Sequence, residues 1–524
     1  FKSPGGVHGV AAEVTRNMNG ELVAVVEGEV DAARAFDQLG KALLALGFND
    51  GLTLPVMSIQ PVTTSVRGLG ATLLSPHPLC WRDPTAAPGG ADSAGKRKRS
   101  GGKGEERVAL SVAAIDCVVT LQESGKWPDD VEAIGKLSAA LYLTMANSLN
   151  GDKKDDPEAT IDLKFVAKAF PDHLQVLGLG YAFRVRIWNQ RQVRTLHQLK
   201  RKSEGEALEL ARFHRPQHTQ VISALVHKFP SMGETLRLCK RWAALHLLSA
   251  PPASSDGKSV GGDGLSEEAL ELLVAHCYTC ALPFSAPASP LAGYVRFLWL
   301  LAATDWDVSA LIVDLSVASV DGSALSPQAY RECQDAAEQE RSTGVFARRP
   351  VPVCLCTTAD KSGVRWTSHG LSRMQWSRAL RLARGALMGM GRGMARGKAA
   401  PLSASMQRHL GDFDVIIHLH AGATLLKVPG LGAQAFKNTR RQLQSSLLVG
   451  LSPVHELLNR LRSAYGRYAL FWADGLRADC IAVLWLPMAA SGGSVSVAHA
   501  ENTFPLVLAE EGYGGGGGGE TGPE

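Results

Sequence analysis

The sequence predicts an α+β protein of three successive folded units. Three observations predict it. Residues 20–202 mix strand and helix patterns. From Ser203 helical periodicity takes over and holds to residue 398. Strand signals then return across residues 399–508. The length of 524 residues fits this division, at roughly 150 residues per domain. Hydrophobic content of 45% and charged content of 20% are ordinary for folded domains. A net charge of +5 excludes a simple polycation, so the location of the basic residues matters. No apolar run is long enough for a membrane-spanning helix, and no membrane partner is expected. The chain starts at Phe1 without a signal-like apolar segment and reads as a fragment lacking its natural start. Residues 509–524 hold six consecutive glycines, Gly514 to Gly519, and are expected to be disordered.

In the first unit, Glu21 to Val26 reads as a strand. Asp31 to Leu46 reads as a helix closed by Gly47. Leu54 to Thr63 and Arg107 to Leu121 read as strands, separated by a Pro/Gly/Ala-rich loop at 82–106. Pro128 is expected in the first turn of a helix reaching Leu149, with Asp129, Asp130 and Glu132 at its positive end. Tyr181 to Trp188 is a strand whose alternation puts Arg184 and Arg186 on one face.

The second unit carries helix patterns at Glu204–Phe213, Gln217–Phe229, Met232–Leu248, Ser266–Ala281 and Leu291–Ala303. A Gly/Ser/Pro-rich insertion, Ala250 to Gly264, interrupts them. Its centre is Ser285 to Leu315. There an apolar helix interrupted only by Arg296 passes through Asp305-Trp306-Asp307 into the strand pattern Leu311–Leu315. Such a stretch is expected to be core. A helix (Ser326–Arg341), a strand (Val351–Thr357) and a helix (Leu371–Met388) follow, and the Gly/Arg-rich Gly389–Ala400 marks a boundary. The third unit shows strands at Phe413–Leu419, Tyr468–Trp472 and Cys480–Leu486.

The nine cysteines do not make a metal or disulfide framework. Cys277 and Cys280 fall on a helix pattern and Cys354 and Cys356 on a strand pattern, whereas structural zinc sites want paired ligands in loops. Free, buried or half-buried thiols are expected, as in a reducing compartment. His214 and His218 are spaced for one helix face, but Pro216 lies between them and no acid is near in sequence. His418 and His420 read as strand residues. No metal site, cofactor or nucleophilic triad is expected.

Basic residues carry the stronger signal. From Lys361 to Gly411 there are ten Lys or Arg and no acid. At about 100° per residue, Arg373, Arg378, Arg381 and Arg384 share an arc of roughly 140°. Leu371, Trp376, Leu380, Leu382 and Leu387 fall on the rest of the wheel. Arg392, Arg396 and Lys398 follow. Guanidinium groups bind phosphate bidentately, so this face is a candidate RNA surface. A second candidate is the acid-free run Arg184 to Lys202, with Arg184, Arg186, Arg191, Arg194, Lys200, Arg201 and Lys202. Trp188 there is expected to pack in the core. The loop cluster Lys96-Arg97-Lys98-Arg99 fits a nuclear localisation patch.

Several long motifs carry a resemblance. They are LQESGKWPDDVEAIGKLSAALYL at 121–143, FPSMGETLRLCKRWAALHLLS at 229–249, and SPLAGYVRFLWLLAATDW with LIVDL at 289–315. GDFDVIIHL at 411–419 and LRSAYGRYALFWADGLRADCIAVLWLP at 461–487 complete the set. In this order they resemble the fourth, fifth and sixth domains of the Nrap family of nucleolar RNA-associated proteins. The resemblance implies a nucleotidyltransferase-like mixed-sheet domain (20–202). It implies a helical domain like those of poly(A) polymerase and oligoadenylate synthetase (203–398), and a small C-terminal α/β domain (399–508). It also implies absence of the family's first three domains.

Nucleotidyl transfer of this class uses two metal ions held by carboxylates, two of them at i and i+2 on a strand. The candidate pairs do not fit. Glu27 and Glu29 lack a preceding phosphate turn; Asp305 and Asp307 follow a helix; Asp412 and Asp414 have no phosphate turn upstream. Glu204 with Glu206 and Glu338 with Glu340 lie on helices, where such residues face apart. Glu123-Ser124-Gly125-Lys126 reads as the loop before the Pro128 helix, and Asp116 stands alone on its strand. The expectation is therefore a catalytically dead fold with no catalytic residues. It would serve as an RNA-associated scaffold in ribosome biogenesis. As the resemblance implies, it would act in the nucleus and nucleolus, in the small-subunit processome, in pre-rRNA processing. Its partners would be pre-ribosomal RNA and other processome proteins. An active template-independent RNA nucleotidyltransferase and a protein-only scaffold are the alternatives.

Overall fold

The computed structural model describes residues 12–16, 22–26, 31–46, 52–77, 80, 108–109, 111–125, 127–150, 165–250, 264–280, 283–306, 310–316, 325–348, 351–368, 370–396, 402–419, 426–427, 448–473 and 479–486. The fold is α+β, as expected. Strands β1 (Ala12–Arg16) and β2 (Leu22–Val26) pair antiparallel. Asp31 caps α1 (Ala32–Leu44), its carboxylate accepting from the Arg34 amide at 2.7 Å. After β3 (Val56–Pro61) comes a 3-10 turn, Thr64–Arg67.

The expected strand 107–121 is broken into β4 (Val108–Ala109), β5 (Ser111–Val112) and β6 (Ala114–Leu121). Helix α2 (Val131–Asn150) starts later than Pro128, because the Asp130 carboxylate caps it by accepting from Ala133 N at 2.8 Å. Strands β7 (Phe165–Ala169), β8 (Leu174–Gly178) and β9 (Tyr181–Trp188) follow. The sheet order is β3-β6-β9-β8-β7, with only the β6–β9 pair parallel. Alternation splits its two central strands. Ile115, Cys117 and Val119 of β6 and Phe183, Val185 and Ile187 of β9 join one core with α1 and α2. Asp116, Arg184 and Arg186 take the other face.

Helix α3 (Gln190–Gln198), capped by Asn189, was not expected. Helices α4 (Lys202–Glu209) and α5 (Arg215–Lys228) are joined by a π turn, Leu210–His214, rather than by a break. Pro216 stands just past the π turn, where the Arg215 amide has taken the Leu210 carbonyl. Then come α6 (Met232–Leu245), α7 (Glu267–Thr279) and α8 (Pro290–Ala303). Tyr294, Phe297, Leu298 and Leu301 of α8 are buried against Trp242, Leu236 and Leu273. Leu291 and Trp299 are not, so the predicted core helix has one open edge.

Strand β10 (Leu311–Ile312) precedes α9 (Pro327–Ser342) and α10 (Val345–Arg348), and pairs parallel with β11 (Leu355–Cys356). Helix α11 (Val364–Thr367) leads to α12 (Arg373–Ala395). Helix α12 runs past its expected end at Met388. Gly389 and Gly391 stay helical, with open space where a Cβ would be.

The third unit contains α13 (Leu402–Ser405), β12 (Val415–His418), β13 (Leu426–Lys427), β14 (Leu448–Val449), α14 (Pro453–Tyr465), β15 (Ala469–Ala473) and β16 (Cys480–Trp485). Its own sheet is β12-β16-β15, all antiparallel. Strands β13 and β14 instead pair with β4 and β5 of the first unit. Among the described residues no helix is long and apolar enough to cross a membrane.

Candidate functional site

The centre of the first unit's sheet holds the one acid expected on its own, Asp116. Its β9 neighbours in register are Arg184 directly opposite and Arg186 two residues on. Arg184 Nε and Nη2 donate to the two carboxylate oxygens at 2.6 and 2.8 Å. Arg186 Nη1 donates to Oδ1 at 3.0 Å. The two guanidinium side chains are only 11% and 10% exposed. Burial lowers the Arg186 pKa from its ordinary value, and the Asp116 charge opposes that. Arg212 of the π turn donates to the Ile187 carbonyl at 2.9 Å and adds a further cation.

The site is also covered from the third unit. Strand β14 lies along β5, and Gly450 N donates to Val112 O at 2.8 Å. Gly450 has φ of 74°, and a Cβ there would stand 3.0 Å from Ala114 Cβ and from Arg184 Nη1. Only glycine combines that backbone with that approach.

Chemically, this is a carboxylate neutralised by two guanidinium groups. The other acid pairs are dispersed. Asp412 accepts from Arg378 and Arg381, and Asp414 accepts from Trp485 N. Glu204 pairs with Arg201, Glu206 with Lys202, and Glu340 caps Val345 N. Glu27, Glu29 and Asp307 lie outside the described residues. Among the described residues no three His, Cys, Asp or Glu side chains gather to hold a metal ion.

The acid-free run Arg184 to Lys202 needs correction. Arg184 and Arg186 are buried ion-pair members, so they are removed from the candidate RNA surface. The run lacks acids in sequence, but the fold supplies Asp116. Arg191 stays partly exposed but is paired, with Asp129 at 2.6 Å and the Trp127 carbonyl at 2.7 Å. Arg201 and Lys202 are exposed but paired within α4. Arg194 and Lys200 are exposed. Trp188 stacks on Phe213 with ring centroids 5.2 Å apart.

The arginine helix is corrected at one position. Arg378 is 10% exposed in its side chain and donates to Asp412 at 2.9 Å and to His409 O at 2.9 Å. It also donates to the His246 carbonyl and covers the Phe413 ring, 4.7 Å from the centroid. It ties the third unit to the helical one. Arg381 shares Asp412 at 2.6 Å but remains 66% exposed. Arg373, Arg384, Arg392 and Arg396 are exposed. Lys398 and the loop Lys96, Arg97, Lys98 and Arg99 lie outside the described residues.

A second charged centre was not foreseen. Glu271 of α7 is fully buried, and it meets Lys240 at 2.7 Å, Arg67 at 3.1 Å and His218 at 2.9 Å. Burial would raise the Glu271 pKa, but the Lys240 and Arg67 charges and the His218 hydrogen bond outweigh it and hold the carboxyl well below its usual range. The hydroxyl of Thr64 donates to Glu267 at 2.6 Å beside it. These bonds join the 3-10 turn of the first unit to the helices. His218 thus has the acid that its sequence neighbours lack; only the packing of α5 on α7 could reveal it. No two of the nine cysteines are joined in a disulfide, and all but the half-buried Cys280 are buried.

Comparison with known proteins agrees with this architecture. Residues 14–227 match the model described as Nrap protein nucleotidyltransferase domain 4. Residues 229–400 match Nrap protein PAP/OAS1-like domain 5, and 410–510 match Nrap protein domain 6. Nucleolar protein 6 of Xenopus tropicalis is 29% identical over 404 residues, 73% of this chain and 32% of that protein. Nucleolar protein 6 of Homo sapiens is 27% identical over 480 residues, 88% of this chain and 38% of that protein. The chain therefore spans about a third of the length of the curated relatives it matches. A crystal structure of an mtPAP mutant in complex with ATPgammaS aligns over 56% of this chain and 60% of that one, at 9% identity and a TM-score of 0.30. That likeness is too slight to argue from.

Proposed function

The chain belongs to the Nrap family, and from that premise we propose that it is a non-catalytic, RNA-associated scaffold of the nucleolus acting in ribosome biogenesis. The observation that carries the non-catalytic part is the clasp on Asp116. Two-metal nucleotidyl transfer needs converging carboxylates around ions about 3.5–4 Å apart. Here the strand facing Asp116 presents Arg184 and Arg186 instead. Divalent ions placed there would meet two fixed positive charges and compete for a carboxylate already bonded three times. The active nucleotidyltransferase reading is weaker for that reason.

RNA association rests on the exposed arginines of α12 and its C-cap, Arg373, Arg381, Arg384, Arg392 and Arg396, with Arg194 and Lys200 as a smaller second group. The nucleolar setting follows the name carried by the relatives. A place in the small-subunit processome, contact with pre-ribosomal RNA and its processing, and nuclear entry through Lys96 to Arg99 are parts of the same proposal. So is a division at residues 202 and 398.

The test is primer extension. The chain is incubated with an RNA primer, each nucleoside triphosphate, and Mg²⁺ or Mn²⁺. No added nucleotide is expected. Extension that disappears in a folded Asp116→Asn variant would overturn the non-catalytic reading.

A further inference from the structure

Helix α8 has the composition of a core helix and one edge that stays open. Between Cys280 and Thr304 the sequence holds one charged residue, Arg296, and no acid. Along the open edge, Leu291 is 40% and Trp299 50% exposed, and Phe284 from the preceding loop is 55% exposed. Phe284 and Trp299 meet edge to face, with centroids 6.3 Å apart and planes at 89°. The Arg296 guanidinium lies over Phe284, 5.1 Å from the ring centroid. It is fixed there by donating to the Ser285 carbonyl at 2.7 Å. Two large rings are thus held in place while half of their surface faces water.

The surroundings say what would cover them. Arg384 of α12 donates to the Ala302 carbonyl at 3.4 Å. Ala302 is less than one helical turn beyond Trp299, so Arg384 reaches the same end of α8 that carries the Trp299 ring. The fringe of the patch is cationic at Arg296 and Arg384. An apolar protein helix would satisfy the rings and Leu291 but leave that charge unanswered. A polyanion with flat π faces satisfies both.

We propose that Phe284, Trp299 and Arg296 form a stacking platform for unpaired bases of single-stranded RNA, whose phosphates follow the arginine face of α12. The proposal rests on the RNA-associated reading above and narrows it to unpaired RNA. Aromatic and guanidinium planes stack bases that a duplex keeps hidden.

The experiment uses the whole chain and three labelled probes: an oligouridylate, an abasic oligonucleotide of the same length and an RNA duplex. Trp299→Ala and Phe284→Ala remove exposed rings, and circular dichroism checks that the variants are folded. The wild type should bind oligouridylate more tightly than the abasic strand or the duplex. Trp299→Ala should weaken oligouridylate binding by roughly tenfold, the order expected for one stacked base. It should leave the abasic affinity and the salt dependence unchanged. A combined Arg384→Gln, Arg392→Gln and Arg396→Gln variant should weaken all three probes.

If both ring variants bind oligouridylate as the wild type does while the arginine variant is weakened, the platform is overturned and the RNA reading stands. If the wild type binds none of the probes, both fail. If Trp299→Ala keeps its RNA affinity but abolishes a self-association seen by sedimentation, the patch is a protein contact and the platform is overturned.

Discussion

Glu271→Gln should destabilise the chain through the cations it abandons. The wild-type carboxylate is fully buried between Lys240 at 3% and Arg67 at 9% side-chain exposure. The amide keeps the shape and loses the charge. Breaking a buried ion pair costs about 3–5 kcal/mol, because the partner is left charged and unhydrated. Glu267 stands 3.5 Å from Lys240 and is half exposed, so it compensates in part. The expected loss is therefore near the lower end, about 3 kcal/mol.

Urea unfolding followed by tryptophan fluorescence reads this directly, since Trp366 packs on His218 at 5.3 Å and Trp242 lies in the same core. The pH dependence is a second check. The folded-state carboxyl is held below its ordinary 4.5, so its contribution is complete above that value and is lost as pH falls through the lower folded one. The difference between wild type and variant should stay constant from about pH 7 to 5 and close only in acid. A loss under about 1 kcal/mol at neutral pH would refute the reasoning, as would a gap that closes between pH 7 and 5.

Three further outcomes are expected. Arg378→Gln should loosen the third unit, seen as faster proteolysis beyond residue 400, whereas Arg384→Gln should not, because only Arg378 is buried on Asp412. Burial lowers the His246 pKa from 6.5 to about 4, so the fold favours its neutral form. Stability should fall by about 3 kcal/mol as pH drops from 6.5 toward 4, and His246→Gln should remove that slope in acid unfolding curves. Gly450→Val should free β14 from β5, read as faster exchange of the amide at position 450, which donates to the Val112 carbonyl in the wild type, since its Cβ has no room beside Ala114.

Much of the fold was legible wherever a local pattern repeated. The alternation in Tyr181–Trp188 gave β9 and the shared face of Arg184 and Arg186. The helical spacing of apolar residues from Leu291 to Ala303 gave α8, which the structure starts one residue earlier, behind a Ser289 cap. Strand β8 escaped because all five of its residues are buried, so it shows no alternation. Helix α12 ran past its expected end because the packing of its buried face, Trp376, Ala379, Ala383 and Met390, outweighs the roughly 1 kcal/mol that each glycine costs a helix.

The sites were harder to read because their partners are distant. Asp116 lies 68 residues before Arg184, and Glu271 lies 53 after His218. Asp412 stands just beyond the acid-free run and folds back onto Arg378 and Arg381. A stretch without acids is therefore not a surface without acids. Composition located the arginines of α12, and only packing separated Arg378 from the exposed ones.

The most direct test of an RNA-associated scaffold is the salt dependence of RNA binding with and without Arg384, Arg392 and Arg396. These three are exposed and share one arc of α12, so changing them to Gln should leave the fold intact. Phosphate contacts release counterions, with a slope of about −0.7 in log affinity against log salt per phosphate on single strands. The triple variant should bind RNA more weakly, with a slope shallower by about 2. A folded variant with the wild-type affinity and slope would contradict the account and leave a protein-only scaffold as the better reading.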